Sequence, residues 1–355
     1  MSIALSPRLV LFLTAPSLFW AGNAVVGRIT VASVPPLLLN AMRWSIALLV
    51  LLVLGRRVLT AASRAQILAR WPYLAAVGLF GVGAYNALQY LALTTSTPIN
   101  VTLIAASGPL WTVIVGAIGF AEPVHRRQLA GAAISLLGVA VVLGRGDPAT
   151  LLAVQLVPGD LLMLLAQASW AVYTWLLARP VASMRGDARP QVQDGALSRP
   201  WNWAEMLLVQ TLFGVVWASL GAGAEHLVAP RAPVWSPAVL AALAYIVIGP
   251  SLLAYACWGR AVAQAGPAVA AFFANLTPLF AAVLSTALLG EAPHWYHALA
   301  FGLIVAGIRV SSVRPGPGSG EPSGPAAPAH TPGDDGATQP GVADRGSGRS
   351  PGRAG

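Results

Sequence analysis

Long apolar stretches separated by short polar segments make up most of this chain. Each stretch has roughly 17 to 23 residues, enough for a helix to cross a hydrocarbon core about 30 Å thick. The stretches lack the apolar and polar alternation of barrel strands, so each one predicts a membrane-spanning α-helix. The ten predicted spans cover residues 9–27, 36–54, 73–93, 98–118, 128–144, 159–178, 204–222, 238–258, 267–289 and 294–311.

The composition agrees with a membrane location, because 56% of the residues are hydrophobic and only 9% are charged. A soluble domain is about 25% charged. The formal net charge of +9 would fit a nucleic-acid partner, but all 21 basic residues are arginines and their positions follow a topological pattern. With the N-terminus inside, the far side holds only Arg28, Arg145 and Arg231. The positive-inside rule therefore predicts a multi-pass inner-membrane protein with both termini in the cytoplasm, and the lipid bilayer rather than nucleic acid as its partner.

The chain divides into two similar halves and a tail. Landmarks of the first half recur after 169 residues, as Pro98 with Pro267 and Glu122 with Glu291. We therefore predict an all-α membrane protein with ten transmembrane helices in two five-helix repeats, residues 1–144 and 145–313, with a cytoplasmic loop near 180–203. Five spans are an odd number, so the second repeat must be inverted relative to the first. Residues 314–355 are rich in Pro, Gly, Ser and Ala and predict a disordered cytoplasmic tail.

Ionisable side chains are rare within the predicted spans. Arg43 is the only charge well inside one of them, so it needs a polar partner, a watery cavity or an anionic substrate. The alternative is a long side chain that reaches towards the interface or pairs with carbonyl groups at a helix end. No carboxylate or histidine lies deep in a span, which leaves a buried proton carrier unsupported.

Two prolines occupy equivalent places in the two halves. Pro109 and Pro278 lie near the middle of predicted spans four and nine, where a proline removes a backbone hydrogen bond and bends the helix. Kinks at equivalent positions of two repeats predict gating elements beside a central site, although each proline could serve packing alone. Asn275, shortly before Pro278, is a candidate cavity residue.

Aromatic and amide side chains supply the remaining recognition chemistry within the spans. Trp20 with Asn23, and Trp170 with Tyr173, have a spacing of three residues that places each pair on one helical face. Gln210 lies near the position in span seven that corresponds to Arg43, so the predicted cavity is charged on one side only. Interfacial anchoring or helix packing is the alternative role for each of these side chains. The candidate cavity residues are Trp20, Asn23, Arg43, Tyr85, Asn86, Trp170, Tyr173, Gln210, Tyr255 and Asn275.

Sequence signatures of enzymes are missing. The predicted spans and the loops between them have no zinc-binding HExxH motif and no GxSxG elbow, and the chain has no lysine for a Walker motif. We therefore predict no catalytic residue, no metal and no cofactor. The single cysteine, Cys257, lies within a predicted span and is expected to pack there.

Taken together, Trp20, Arg43, the two proline phrases and the Glu122 and Glu291 helix ends resemble EamA-type members of the drug/metabolite transporter superfamily. The resemblance covers about residues 9 to 313. It implies ten helices in two inverted repeats, with helices one to four and six to nine around a central cavity, and export of amino acids or other small metabolites.

The sequence thus predicts a secondary transporter, an exporter of amino-acid-like or drug-like solutes that works by alternating access. Its partner is a small-molecule substrate, and a homodimer is left open. A membrane-embedded receptor or scaffold is the first alternative. A lipid-modifying membrane enzyme is the second, with His294 and His297 beside Glu291 as its only candidate groups.

Overall fold

A computed structural model of the chain describes residues 7–124, 126–147, 149, 157–194, 197–265, 273–274 and 276–312. Two predictions, the disordered tail at 314–355 and the cavity role of Asn275, lie outside these described residues. Within them the protein is predominantly α-helical.

In the described residues, the first part of the chain forms eight α-helices. A 3₁₀ turn, Arg56–Leu59, precedes the third, and a π-helical segment, Leu79–Ala84, joins the fourth to the fifth. The helices are α1 Pro7–Thr30, α2 Pro36–Leu54, α3 Ala61–Leu68, α4 Trp71–Gly78, α5 Tyr85–Ala92, α6 Pro98–Ala105, α7 Gly108–Gly119 and α8 Arg126–Leu143.

Six further helices follow in the part of the chain that the structure describes. A second π-helical segment, Val247–Leu253, joins the helix that ends at Ile246 to the helix that begins at Ala254. They are α9 Pro158–Ala178, α10 Trp203–Val228, α11 Pro237–Ile246, α12 Ala254–Ala265, α13 Thr277–Leu289 and α14 Trp295–Ser312.

Local sequence explains where the helices begin. Proline stands in the first turn of several helices, as at Pro36, Pro158 and Pro237, where its missing N–H group costs nothing. The longest helix, α10, starts with a capping box, in which the Asn202 side chain accepts from the Glu205 N–H and the Glu205 carboxylate accepts from the Asn202 N–H.

Several helices are long and apolar enough to cross a membrane. Over the described ranges, six qualify by length and composition: Pro7–Thr30, Pro36–Leu54, Trp71–Ala92, Pro158–Ala178, Trp203–Val228 and Pro237–Trp258. The pair Pro98–Ala105 and Leu110–Gly119, bent by 49°, counts as a seventh if it forms one span. The chain is therefore a multi-pass membrane protein, and the arrangement of ten spans in two repeats stays a prediction.

Pro109 and Pro278 lie in the first turns of helices rather than within continuous ones, and the helices on either side of residues 106–109 are bent by 49°. The predicted bend at Pro109 is therefore present as a break between two helices, and the gating role of both prolines stays a prediction. Helix α6 ends at Ala105 and α7 begins at Gly108, so Pro109 is in the first turn of a new helix. Pro278 has the same position in α13. A proline fits there because its ring needs no hydrogen-bonded N–H.

The polar loop near 180–203 is more ordered than an all-α fold predicts. It contains two 3₁₀ turns and a hairpin of β1 Gln191–Asp194 and β2 Leu197–Pro200, with Gln191 opposite Pro200. Gln66 of α3 holds the first strand, since its side chain bonds both the N–H and the carbonyl oxygen of Gln191, at 2.8 and 3.2 Å.

The helices pack closely around one main cluster of buried side chains contributed by α2, the α4–α5 segment, α9, α10 and α11. Because lipid is as apolar as a leucine side chain, close fit and not water exclusion stabilises such contacts. Helix α8 packs on α14 through Gly138, where an added Cβ would lie 2.8 Å from the carbonyl oxygen of Ala300.

Candidate functional site

Arg43, in the middle of α2, is the centre of a buried hydrogen-bond network. Its side chain is 1% exposed. The Nε atom donates to Ser251 Oγ at 2.6 Å, and one terminal nitrogen donates to Asn86 Oδ1 at 2.8 Å and to Tyr90 Oη at 2.9 Å. The guanidinium therefore joins α2, α5 and the second π-helical segment.

A second layer of hydrogen bonds surrounds these partners. Tyr90 Oη donates to Asn23 Oδ1 at 2.8 Å, and Asn23 also accepts a longer bond of 3.4 Å from Arg43. The Asn23 amide nitrogen donates to Gln89 Oε1 at 3.0 Å. Helix α1 is thus tied into the network by Asn23.

Among the described residues, every hydrogen-bond partner of the Arg43 guanidinium is neutral. All four of its acceptors are hydroxyl or amide oxygens. The Arg43 guanidinium carbon also lies 5.0 Å from the Trp44 ring centroid, a cation–π distance. A unit negative charge 4 Å away would gain about 4 kcal/mol at an effective dielectric constant of about 20. The site is therefore poised to attract an anionic group.

Side chains of the network, and Asn40 beside it, bond carbonyl groups in or next to the two π-helical segments. Asn86 Nδ2 donates to the Gly81 carbonyl oxygen at 3.3 Å, and Asn40 Nδ2 donates to that of Gly83 at 3.2 Å. Ser251 Oγ donates to the Ile246 carbonyl oxygen at 2.8 Å. A π-helix shifts the backbone pairing to five residues. At both segments, side chains donate further hydrogen bonds to backbone carbonyl groups.

Aromatic rings form two clusters beside the network. Trp20 of α1 contacts Tyr255 of α12 with ring centroids 6.5 Å apart, and Trp170 of α9 contacts Tyr85 of α5 at 4.9 Å. Trp170 also lies 5.0 Å from Tyr173, whose hydroxyl donates to Gln210 Oε1 at 3.4 Å in the second cluster.

The aromatic clusters are more open than the arginine network. Trp20, Tyr85, Trp170 and Tyr255 are half-buried, so each keeps part of its surface exposed. Trp44 links the two regions, because its ring lies 5.9 Å from the Tyr255 ring and also contacts Arg43. An apolar, aromatic surface thus adjoins a closed cationic centre.

The structure brings together most of the residues that the sequence selected. Asn23, Arg43 and Asn86 share one network, and Trp20 and Tyr255 adjoin it. The other cluster contains Tyr85, Trp170, Tyr173 and Gln210.

Four residues of the site were missed by the sequence analysis: Asn40, Trp44, Tyr90 and Ser251. Tyr90 follows Asn86 by four residues and shares its helical face, a signal that was available. Ser251 follows Pro250, a proline within a predicted span, which also marked a disturbed helix.

Charged side chains tie helix ends outside this centre. Glu122, just after α7, forms an ion pair with Arg179 at the end of α9. Near the end of α10, Glu225 Oε2 accepts from the N–H groups of Leu37 and Leu38, both at 3.0 Å. A cavity of about 120 Å³ beside Glu225 does not include Arg43 in its lining.

The histidines considered for enzyme chemistry bond to neutral groups. His297 Nδ1 accepts from the His294 N–H at 2.9 Å, and His297 Nε2 lies 3.2 Å from Asn100 Oδ1. Over the described ranges, no three His, Cys, Asp or Glu side chains group in a way that would hold a metal ion.

Comparison with known proteins identifies a family. The model of the EamA-like transporter family matches residues 8–144 and again residues 193–313. An uncharacterized transporter of Archaeoglobus fulgidus is 26% identical over 307 residues, which cover 86% of this chain and 97% of the relative.

Two bacterial relatives carry more specific names. A probable amino-acid metabolite efflux pump of Salmonella typhimurium is 24% identical, over 82% of this chain and 90% of its own. The uncharacterized inner membrane transporter YedA of Escherichia coli K12 is 25% identical, and the match covers 82% of this chain and 86% of YedA. One crystal structure, 23% identical with a TM-score of 0.55, covers 86% of this chain and 96% of its own, which shows a shared fold.

Proposed function

Because this chain belongs to the EamA-like transporter family, we propose that it is a secondary transporter that exports small amino-acid-like or drug-like metabolites by alternating access. The relatives are named as transporters, so a membrane transporter is the general function. The observation that carries the finer proposal is the buried Arg43 network, a cationic centre with neutral partners next to half-buried aromatic rings.

Alternating access requires two halves that exchange roles, and three observations support such a pair. The family model matches the chain twice. The π-helical segments Leu79–Ala84 and Val247–Leu253 occupy equivalent places, 168 residues apart at their starts. The aromatic contacts are reciprocal, because the tryptophan of each proposed half contacts a tyrosine of the other. We propose inverted repeats with the termini in the cytoplasm.

The closed arginine network fits a conformation in which the centre is shielded. Helices α7 and α13 both begin next to a proline, and we propose that these starts act as hinges that open the centre to one side at a time. Outward export is proposed from the printed name of the Salmonella relative, an efflux pump.

A comparison of metabolites in the growth medium tests the proposal. Cells that overproduce the protein should release at least one metabolite faster, and Arg43→Ala should reduce this release at least about tenfold, the effect of losing one charge-assisted contact. Arg64→Ala, which removes an exposed arginine of α3, is the matched control and should leave release unchanged. Release indifferent to the protein and to both variants would refute transport.

Cysteine labelling tests the inverted orientation. Pro123 and Ala292 are both exposed and occupy equivalent positions, 169 residues apart. In a Cys257→Ala background, a membrane-impermeant maleimide should label Ala292→Cys in intact cells but Pro123→Cys only after lysis. Labelling of both from the same side would exclude inverted repeats.

A further inference from the structure

We infer that the contact between Arg43 and Ser251 is exchangeable: the carboxylate of the transported substrate takes the place of Ser251 on the guanidinium and thereby releases the π-helical segment Val247–Leu253. The inference rests on the proposed transport function and assigns it a substrate class, organic carboxylates with an apolar, flat body. It also assigns Ser251 a positioning role.

The chemistry of the acceptors favours exchange at Nε. Ser251 Oγ is a neutral acceptor at 2.6 Å, and Ser251 is fully buried. A carboxylate makes a stronger, charge-assisted hydrogen bond to the same donor and can bond a guanidinium through two oxygens. A substrate carboxylate therefore outcompetes the hydroxyl, whereas a neutral or cationic solute does not.

The other acceptors hold the arginine in place during such an exchange. Asn86 and Tyr90 both come from α5 and bond the terminal nitrogen of Arg43, not Nε. Asn86 is itself fixed to the Gly81 carbonyl oxygen of the first π-helical segment. The guanidinium thus keeps its attachment to α5 while it changes its partner on the opposite side.

The single hydroxyl of Ser251 takes part in two hydrogen bonds and so couples them. It accepts from Arg43 and donates to the Ile246 carbonyl oxygen, five residues earlier. Pro250 precedes it and has no N–H group, so the backbone of this segment is short of internal donors. Once Arg43 turns to a substrate, the hydroxyl can rotate, and the restraint between α2 and the segment is lost.

The neighbouring aromatic rings define the body of the substrate. Trp44 contacts both Arg43 and Tyr255, and Trp20 contacts Tyr255. Aromatic faces next to a cation suit a solute with a ring beside its carboxylate. Three small probes share a phenyl ring and differ in charge: phenylacetate is an anion, phenylalanine a zwitterion and phenethylamine a cation.

Binding of these probes to the purified full-length protein in detergent tests the substrate class. Thermal unfolding titrations should show that phenylacetate and phenylalanine stabilise the protein and that phenethylamine does not. Arg43→Gln should abolish the stabilisation, and Arg43→Lys, which keeps the charge, should retain part of it. Equal stabilisation by phenethylamine, or binding that does not depend on Arg43, would overturn the inference.

Ser251→Ala tests the coupling, and Ser169→Ala is its matched control. Ser169 is also buried and donates to the carbonyl oxygen of Phe80, in the other π-helical segment, with no bond to Arg43. In proteoliposomes, Ser251→Ala should bind phenylacetate about three- to tenfold more tightly, since Arg43 Nε then lacks an acceptor. The same variant should transport phenylacetate at least about tenfold more slowly. Ser251→Thr, which keeps the hydroxyl, should restore the turnover.

The outcomes separate the inference from the proposed function. Suppose that the wild type transports a probe but that Ser251→Ala and Ser169→Ala change binding and turnover to the same extent. The inferred coupling between Arg43 and Ser251 is then wrong, and the proposed transport function is unaffected. If the wild type binds phenylacetate through Arg43 but carries none of the probes, the transport function fails for this class, and the inference fails with it.

Discussion

The carboxylate of Glu225 accepts a hydrogen bond from the backbone N–H of Leu37 at 3.0 Å, and so α10 caps the helix that carries Arg43. The same oxygen also accepts from Leu38. A carboxylate at a helix N-terminus satisfies free N–H groups and interacts favourably with the helix dipole. The position of α2 therefore depends on a side chain that lies 188 residues later in the chain.

Glu225→Ala should lower the free energy of unfolding by about 1 to 2 kcal/mol, the range for loss of a helix cap. Glu225→Gln keeps an acceptor oxygen and should cost less. Unfolding in mixed detergent and denaturant measures both changes. Asp187→Ala, an exposed acidic residue of the loop, is the control, and an equal effect there would show that the capping bonds contribute nothing.

The close contact of α8 with α14 makes Gly138 sensitive to size. Gly138→Ala places a Cβ 2.8 Å from both the Ala300 carbonyl oxygen and Ile304 Cγ1, so we expect a loss of about 1 to 3 kcal/mol through overpacking. Gly302→Ala, with no atom within 4 Å of the added Cβ, should leave the protein as stable or more stable. Similar thermal unfolding of the two variants would contradict the packing.

The reciprocal aromatic contacts predict effects on substrate affinity. Trp20→Ala and Trp170→Ala each remove a ring that we propose contacts the substrate. One aromatic contact is worth about 0.5 to 1.5 kcal/mol, so the KM for a ring-bearing substrate should rise roughly two- to tenfold. Trp235→Ala, an exposed tryptophan before α11, should leave KM unchanged. Transport rates in proteoliposomes give these values, and an unchanged KM in both cluster variants would remove the rings from the site.

The ion pair of Glu122 and Arg179 predicts a change in transport with little change in stability. Both side chains are partly exposed, so breaking the pair should cost at most about 1 kcal/mol. Because the pair joins the ends of α7 and α9, Glu122→Arg or Arg179→Glu alone should alter the transport rate, and the double swap should restore it. A double variant no better than the single ones would show that the pair does not control that end.

Much of the helical layout could be predicted, because hydropathy and length are local properties. The predicted span 36–54 coincides with α2, and 159–178 differs from α9 by one residue. Pro109 predicted a bend in the fourth span, but the sequence did not show that one helix ends at Ala105 and another begins at Gly108. The hairpin of the 180–203 loop was missed because its stability comes from contacts such as Gln66 with Gln191, distant in sequence.

Residues of the candidate site could be predicted where a side chain was chemically unusual for its span. A charge within an apolar run selects Arg43 without any knowledge of the fold. Ser251 gave no such signal, because a hydroxyl within a membrane helix commonly bonds its own backbone. Its pairing with Arg43 spans 208 residues and emerges only from the packing of α2 against the second π-helical segment.

The two π-helical segments also determine which side chains face the centre. A π turn holds about one residue more than an α turn, and one residue corresponds to a rotation of about 100° around the helix axis. Removing a single residue from Val247–Leu253 would leave the length and hydropathy of the helix almost the same. Because the wide turn holds the extra residue, this deletion would restore an α turn and leave Tyr255 and Trp258 on the side of α12 that faces Trp20. The same deletion in a regular α-helical turn would instead rotate every later side chain by about 100°.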